Sequence, residues 1–128
     1  FDKIVSAFFN SQVKRSGVVL DTDAERISCI RDWIRSRRTS LLYDGDRYLI
    51  DGSVCVDFFI RYEDLENGVR EVCRAVGVET ESIELPRMKA NARNSKLAYT
   101  EFYDRESIEI VENVYAFELA RFNYAFGD

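Results

Sequence analysis

The first fifteen residues, FDKIVSAFFNSQVKR, put Phe1, Ile4, Val5, Phe8, Phe9 and Val13 on one stripe. The spacing i, i+3, i+4, i+7, i+8 is that of a single buried helix face and predicts a helix over 1–15. Lys14, Arg15 and Gly17 suit its C-terminal end, where cations meet the helix dipole and glycine relieves the cap. Ser6 falls at the edge of the stripe. After a connection at 18–22, Asp23 is a good N-cap for a second helix over about 24–36. Ile27, Ile30, Trp33 and Ile34 give that helix its apolar face, and Arg26, Arg31, Arg35, Arg37 and Arg38 make it and its exit basic. RYLID and VCVDFFIRY, separated by Gly52-Ser53, read as a β-hairpin. The second strand, about 54–61, is nearly continuous in apolar residues, the pattern of a strand buried on both faces of an α/β sheet. Helical spacing returns with Leu65, Val69, Val72, Cys73 and Val76, which mark a helix over about 63–76 that Gly77 ends. Asp104 caps a last helix with the stripe Ile108, Val111, Tyr115, Leu119 and Phe122, and the aromatic tail FNYAF is expected to pack back on the body.

Between Gly77 and Asp104 the periodicity lapses for more than twenty residues, against about 4–6 for an ordinary connection. Such loops are usually functional or disordered, and the apolar and aromatic anchors of LPRMKANARNSKLAYTEFY argue against disorder. From Leu85 to Thr100 there are four cations, Arg87, Lys89, Arg93 and Lys96, and no acid. Asn91, Asn94 and Ser95 add neutral donors. This chemistry suits a phosphate or sulfate group. It equally describes a solvated basic loop that balances Glu79, Glu81 and Glu84.

Composition narrows the chemistry. With 128 residues and 46% apolar side chains, the chain is expected to form a single domain over 1–128 with a proper core. A net charge of −5 argues against a generic nucleic-acid binder. No apolar run approaches the ~20 residues of a membrane span. The three cysteines, Cys29, Cys55 and Cys73, each fall inside an apolar pattern and are expected to be buried free thiols. Free thiols favour a bacterial cytoplasm over a Golgi lumen. There is no histidine, which removes the commonest general base and zinc ligand. No metal site, catalytic nucleophile or base is identified, and neither GxxxxGK[ST] nor GxGxxG occurs. The Arg35–Arg38 patch reads as a solvated helix end favoured by the dipole. Asp57 is expected within the buried strand, as a paired acid or at the sheet edge. Glu63 and Asp64 follow it, at the edge where open α/β sheets place ligands, with Asp64 read as a helix cap.

The stretch YLIDGSVCVDFFIRYEDLENGVREVCRAVGV, then LPRMKANAR, then YTEFYDRESIEIVENVYAFELARFNY, resembles the C-terminal half of a carbohydrate-type sulfotransferase of the heparan and chondroitin sulfotransferase kind, with its bacterial relatives. The resemblance extends back to FDKIVSAFF. It implies an incomplete P-loop-like α/β fold, helix-rich, with a short hairpin and one buried strand. It implies 3′-phosphoadenosine 5′-phosphosulfate as co-substrate, no metal, and an acceptor hydroxyl, usually on a carbohydrate. By motif it carries over Ser6 as a ligand of the donor's 3′-phosphate, and Arg93 and Lys96 as residues that close over the nucleotide. The family's phosphosulfate loop, the arginine that partners the serine and the catalytic base have no counterpart in this stretch, so the resemblance implies that these residues alone are inactive. The alternative is a non-catalytic interaction domain that binds an acidic partner or polyanion through the basic 87–96 loop.

Overall fold

The computed structural model describes residues 1–14, 17–36, 40, 42–79, 85 and 95–128. The side chain of Val13, and Arg15, Arg37, Arg38, Glu81, Glu84, Pro86, Arg87, Lys89, Asn91, Arg93 and Asn94, lie outside this description. The chain divides into two compact units, one formed by Phe1–Tyr43 with Lys89–Asp128, the other by Asp44–Met88.

The first unit is helical. It contains α1 (Asp2–Phe8), which continues as a π-helical turn (Phe9–Lys14), α2 (Asp23–Arg35), and a 3-10 turn (Tyr99–Phe102). The helices named α4 (Arg105–Val114) and α5 (Ala116–Phe122) close the chain. Ile4, Val5, Phe8 and Phe9 pack with Ile30, Trp33, Ile34, Phe102, Tyr103, Val111 and Tyr115 in one core. The expected stripes therefore bury the expected faces. The expected single α-helix over 1–15 instead widens at Phe9. Nearby, Ser11 donates its hydroxyl to Ala7 O at 2.7 Å, competing with the backbone for that carbonyl.

The second helix starts one residue earlier than read. Thr22, not Asp23, is its N-cap. The Thr22 Oγ1 accepts from Glu25 N–H at 3.2 Å, and Glu25 Oε2 accepts from Thr22 N–H at 2.9 Å. Thr-x-x-Glu thus satisfies two free donors reciprocally, which a lone aspartate at the next position does not. Asp23 becomes the first helical residue and pairs with Arg26 at 2.8 Å. At the other end of the unit, Asp104 is the N-cap as expected and accepts from Ser107 N–H at 2.9 Å. The last stripe is carried by two helices, because the chain turns at Tyr115. Its ring is buried and meets Tyr43 edge-on at 6.1 Å. The aromatic tail packs back: Phe126 stacks edge-to-face on Phe1, Tyr103 and Tyr99 at 5.1, 5.5 and 5.9 Å. The Tyr99 hydroxyl accepts from Gly127 N–H at 2.8 Å.

The second unit holds a two-rung antiparallel hairpin, β1 (Leu49–Ile50) with β2 (Ser53–Val54), in register Leu49↔Val54 and Ile50↔Ser53. The turn is Asp51-Gly52, both with positive φ (50° and 75°), so it falls one residue before the expected Gly52-Ser53. Asp-Gly suits the two-residue turn whose twist matches a hairpin. The expected buried strand over 54–61 does not form. β2 ends at Val54, Cys55 N–H adds one bond to Tyr48 O at 2.9 Å, and Phe58 and Ile60 are 51% and 40% exposed. An apolar run becomes a buried strand only when neighbouring strands supply its hydrogen bonds and layers cover both faces. Among the described residues the sheet has two strands. Asp57 accordingly lies at an exposed bend, outside any strand.

After a 3-10 turn (Tyr62–Asp64), α3 runs over Leu65–Ala75. Asp64 is at its N-cap position, but its carboxylate makes no capping bond to the helix backbone and instead accepts from Asn67 Nδ2 at 2.6 Å, so the expected cap is one of position only. At its end Gly77 adopts φ +74°, with Gly77 N–H donating to Arg74 O and Val78 N–H to Cys73 O at 2.8 Å. This pair of bonds is the Schellman arrangement that favours glycine there. Gly68, inside α3, meets Ile60: a Cβ added at this glycine would lie 2.5 Å from Ile60 Cγ2 and 3.3 Å from its Cβ. Replacing glycine by alanine inside a helix gains up to about 1 kcal/mol, whereas overpacking costs about 1–3 kcal/mol. Ile60 is β-branched and stiff, so the clash wins. Gly68→Ala is expected to destabilise the protein by about 1 kcal/mol in urea titration.

The cysteines also correct the sequence reading. Cys29 and Cys55 are exposed and Cys73 is half-buried, all as free thiols. Cys29 lies one position off the Ile30–Ile34 face, and Cys55 follows a hairpin too short to bury it. The described architecture is helix-rich with one small antiparallel sheet, compatible with a mixed α/β class. Among the described residues no helix is long and apolar enough to cross a membrane.

Candidate anion-binding site

In the first unit, one helix organises the polar chemistry. α2 meets the segment 95–106 at its start, near its last turn and at its end, and the two run in the same direction. At its first residue, Asp23 Oδ1 accepts from the Ser95 hydroxyl at 3.2 Å, and Ser95 Oγ in turn accepts from Leu97 N–H at 3.2 Å. Near its last turn, Arg31 donates to three consecutive carbonyls. Its Nε reaches Phe102 O at 3.2 Å, and one terminal nitrogen reaches Tyr103 O at 2.9 Å and Glu101 O at 3.4 Å. At its last residue, Arg35 pairs with Asp104, with Glu106 at 2.9 Å and with Asp32 at 3.3 Å. From Asp23 to Arg35 is about 18 Å along a helix axis at ~1.5 Å per residue.

The junction at 101–106 explains this chemistry. One helical turn ends there with free carbonyls, and another helix begins with free N–H groups. The Arg31 guanidinium satisfies the carbonyls. Asp104 and the buried Ser107 satisfy the N–H groups, with Asp104 N–H also donating to Ser107 Oγ at 2.8 Å. Partial burial pushes the Asp104 carboxyl up, but the Ser107 N–H and hydroxyl, then Arg35 and Arg31, together hold it below its ordinary value. The expectation that Arg35 is a solvated helix end is thus corrected: its charge is shared among three carboxylates, two of them on another element.

The predicted site residues fall in this framework as follows. Ser6 lies in α1, half-buried, at the edge of a stripe whose Val5 and Phe8 are buried. Lys96 is exposed and directly follows Ser95, the residue fastened to Asp23. The 3-10 turn downstream of Lys96 packs on the element that carries Ser6. Phe9 and Phe102 meet edge-on at 5.6 Å, Phe1 and Tyr103 at 5.5 Å, and the Tyr103 hydroxyl donates to Phe1 O at 2.9 Å. Ser6 and Lys96 therefore share one compact unit, on separate segments joined by this packing. Arg93 lies outside the described residues. A half-buried hydroxyl and an exposed ammonium can bind an oxyanion.

Arg31 and the Ser95–Asp23 contact escaped the sequence reading. The one available signal was the i, i+4 spacing of Arg31 and Arg35 beside a buried face. The partners of Arg31, and two of the three of Arg35, are some seventy residues away and no local pattern names them. Among the described residues, no group of three or more Cys, Asp or Glu side chains is arranged to hold a metal ion. Comparison with protein-family models, curated proteins and solved structures gives no match.

Proposed function

We propose that this chain is part of a cytoplasmic sulfotransferase that moves a sulfuryl group from 3′-phosphoadenosine 5′-phosphosulfate to an acceptor hydroxyl on a carbohydrate. In that reaction the bond from sulfur to the 5′-phosphate oxygen breaks and a bond from sulfur to the acceptor oxygen forms, while the acceptor proton leaves to a base. Ser6 and Lys96 bind the donor nucleotide, with Arg93 as a third ligand, within a P-loop-like fold. The observation that supports this most directly is that Ser6 and Lys96 occupy one compact unit, on segments tied together by Phe9–Phe102 and Phe1–Tyr103. The motif order from FDKIVSAFF through RYEDL to YTEFYD adds to it. Sulfuryl transfer, like phosphoryl transfer, depends on positioning and on charge stabilisation. Residues that grip the far end of the donor serve the first of these.

The test is calorimetric titration of the full-length protein with adenosine 3′,5′-bisphosphate. Ser6→Ala and Lys96→Ala are each expected to weaken binding about 10-fold, the scale of one charge-assisted hydrogen bond. If both variants bind like the parent, these residues are not the ligands. Retention on heparin resin by a protein that ignores the bisphosphate would support the polyanion-binding alternative instead.

A further inference from the structure

We propose that Arg31 is the positioning residue of this anion site; the inference rests on the nucleotide-binding reading of Ser6 and Lys96. Arg31 touches neither residue by any contact the structure describes. It acts on the backbone of 101–103, downstream of Lys96 and packed against α1, which carries Ser6. Its guanidinium bonds the carbonyls of Glu101, Phe102 and Tyr103, the last acceptors of the 3-10 turn. A planar fork that serves three successive carbonyls fixes both the height and the rotation of that turn against α2. Phe102, fully buried, converts this into a fixed contact with Phe9, and Tyr103 does the same with Phe1.

The consequence reaches both ligands. The span 95–103, which carries Lys96, is fastened to one rigid helix at two points: Ser95 at Asp23 and the three carbonyls at Arg31. The Ser95–Asp23 contact is a single bond of 3.2 Å between partly exposed groups. The Arg31 contact is multiple and partly buried, so it is the one that sets the register. Through Phe102 and Tyr103 the same contact sets the seat of α1, on which Ser6 lies. A shift of about 1 Å in such a support is enough to cost a site dearly. Asp104, the residue after these three, also faces Arg31, at 3.7 Å from its Nε.

The proposal separates from a merely structural role by a double-variant cycle. Arg31→Met keeps the aliphatic stem and removes the fork, and Arg31→Lys keeps the charge but offers a single point. Affinity for adenosine 3′,5′-bisphosphate is measured in the full-length protein, well below each variant's melting temperature. Arg31→Met is expected to weaken binding about 10-fold and Arg31→Lys about 3-fold. In a Lys96→Ala background, Arg31→Met is expected to cost no more than about 3-fold, because the ligand it positions is gone. Independent, multiplicative losses overturn the proposal, as does parent-like affinity in folded Arg31→Met. Should Arg31→Met fail to fold, Arg31→Lys decides, with parent-like affinity overturning it. A parent protein that does not bind the bisphosphate fails the nucleotide reading itself, and the inference falls with it, an outcome distinct from a binding parent with an indifferent Arg31.

Discussion

Phe102→Ala is expected to destabilise the protein by about 3–5 kcal/mol. Phe102 is fully buried and sits where the 3-10 turn, α1 and α2 meet, with its ring edge-on to Phe9 at 5.6 Å. Truncation loses the transfer of a whole aromatic side chain and leaves a cavity whose walls belong to different elements. Those walls are also pinned by hydrogen bonds, since Arg31 holds the Phe102 carbonyl at 3.2 Å, so they collapse poorly into the void. Against a typical total of about 5–15 kcal/mol the loss is severe. Phe102→Leu keeps most of the volume and should cost about 1.5 kcal/mol or less. Urea titration of both variants checks the ordering. Equal midpoints for the alanine and leucine variants would refute the assignment of Phe102 as the central packing residue.

The second large effect belongs to Asp104. Its carboxylate caps α4 through Ser107 N–H and also faces Arg35 and Arg31. Two conservative changes divide these roles. Asp104→Asn keeps a capping acceptor and removes the charge; Asp104→Ala removes both. Loss of the cap costs about 1 kcal/mol. The ion pairs add less, because the Asp104 side chain is 30% exposed and solvent screens them. Asp104→Ala is therefore expected to cost about 2 kcal/mol and Asp104→Asn under about 1 kcal/mol. The same carboxyl gives a pH dependence. Its folded-state value is held down, despite burial that opposes this, by Ser107, Arg35 and Arg31. Its contribution is thus fully present above its unfolded value, near pH 4, and is lost as the pH falls through the lower folded value. Asp104→Asn should flatten that part of the acid branch of a stability–pH curve. An unchanged acid branch would show that other carboxylates dominate.

How far the site was legible follows from the range of each interaction. Ser6 at a stripe edge is visible in FDKIVSAFF because a helix repeats every few residues, and the half-buried position found for it agrees. Lys96 stands out by charge alone. The junction at 101–106 is illegible in the sequence, because Arg31 and the carbonyls it serves are separated by some seventy residues. The Gly68–Ile60 approach was hidden for the same reason: a glycine in DLENGVRE reads as a weak helix position until its neighbour is known.

The sequence by itself determined the elements whose stability is local. The faces of α1, α2 and α4, the Asp104 cap and the glycine stop at Gly77 all rest on residues within one or two turns of each other, where spacing is geometry. Tertiary structure alone decided the rest. VCVDFFI carries the apolar content of a buried strand, yet β2 ends at Val54, with Cys55 N–H adding one bond to Tyr48 O. The cysteines on apolar patterns came out exposed or half-buried for a related reason: a pattern states which side chains prefer cover, and only the neighbouring elements provide it. Arg35 reads as part of a solvated helix end until Asp104 and Glu106 come within ion-pair distance of it, and Arg31 gains its partners only where the 3-10 turn brings carbonyls against α2. A guanidinium's partners are set by where distant backbone comes to rest, and that is a property of the fold.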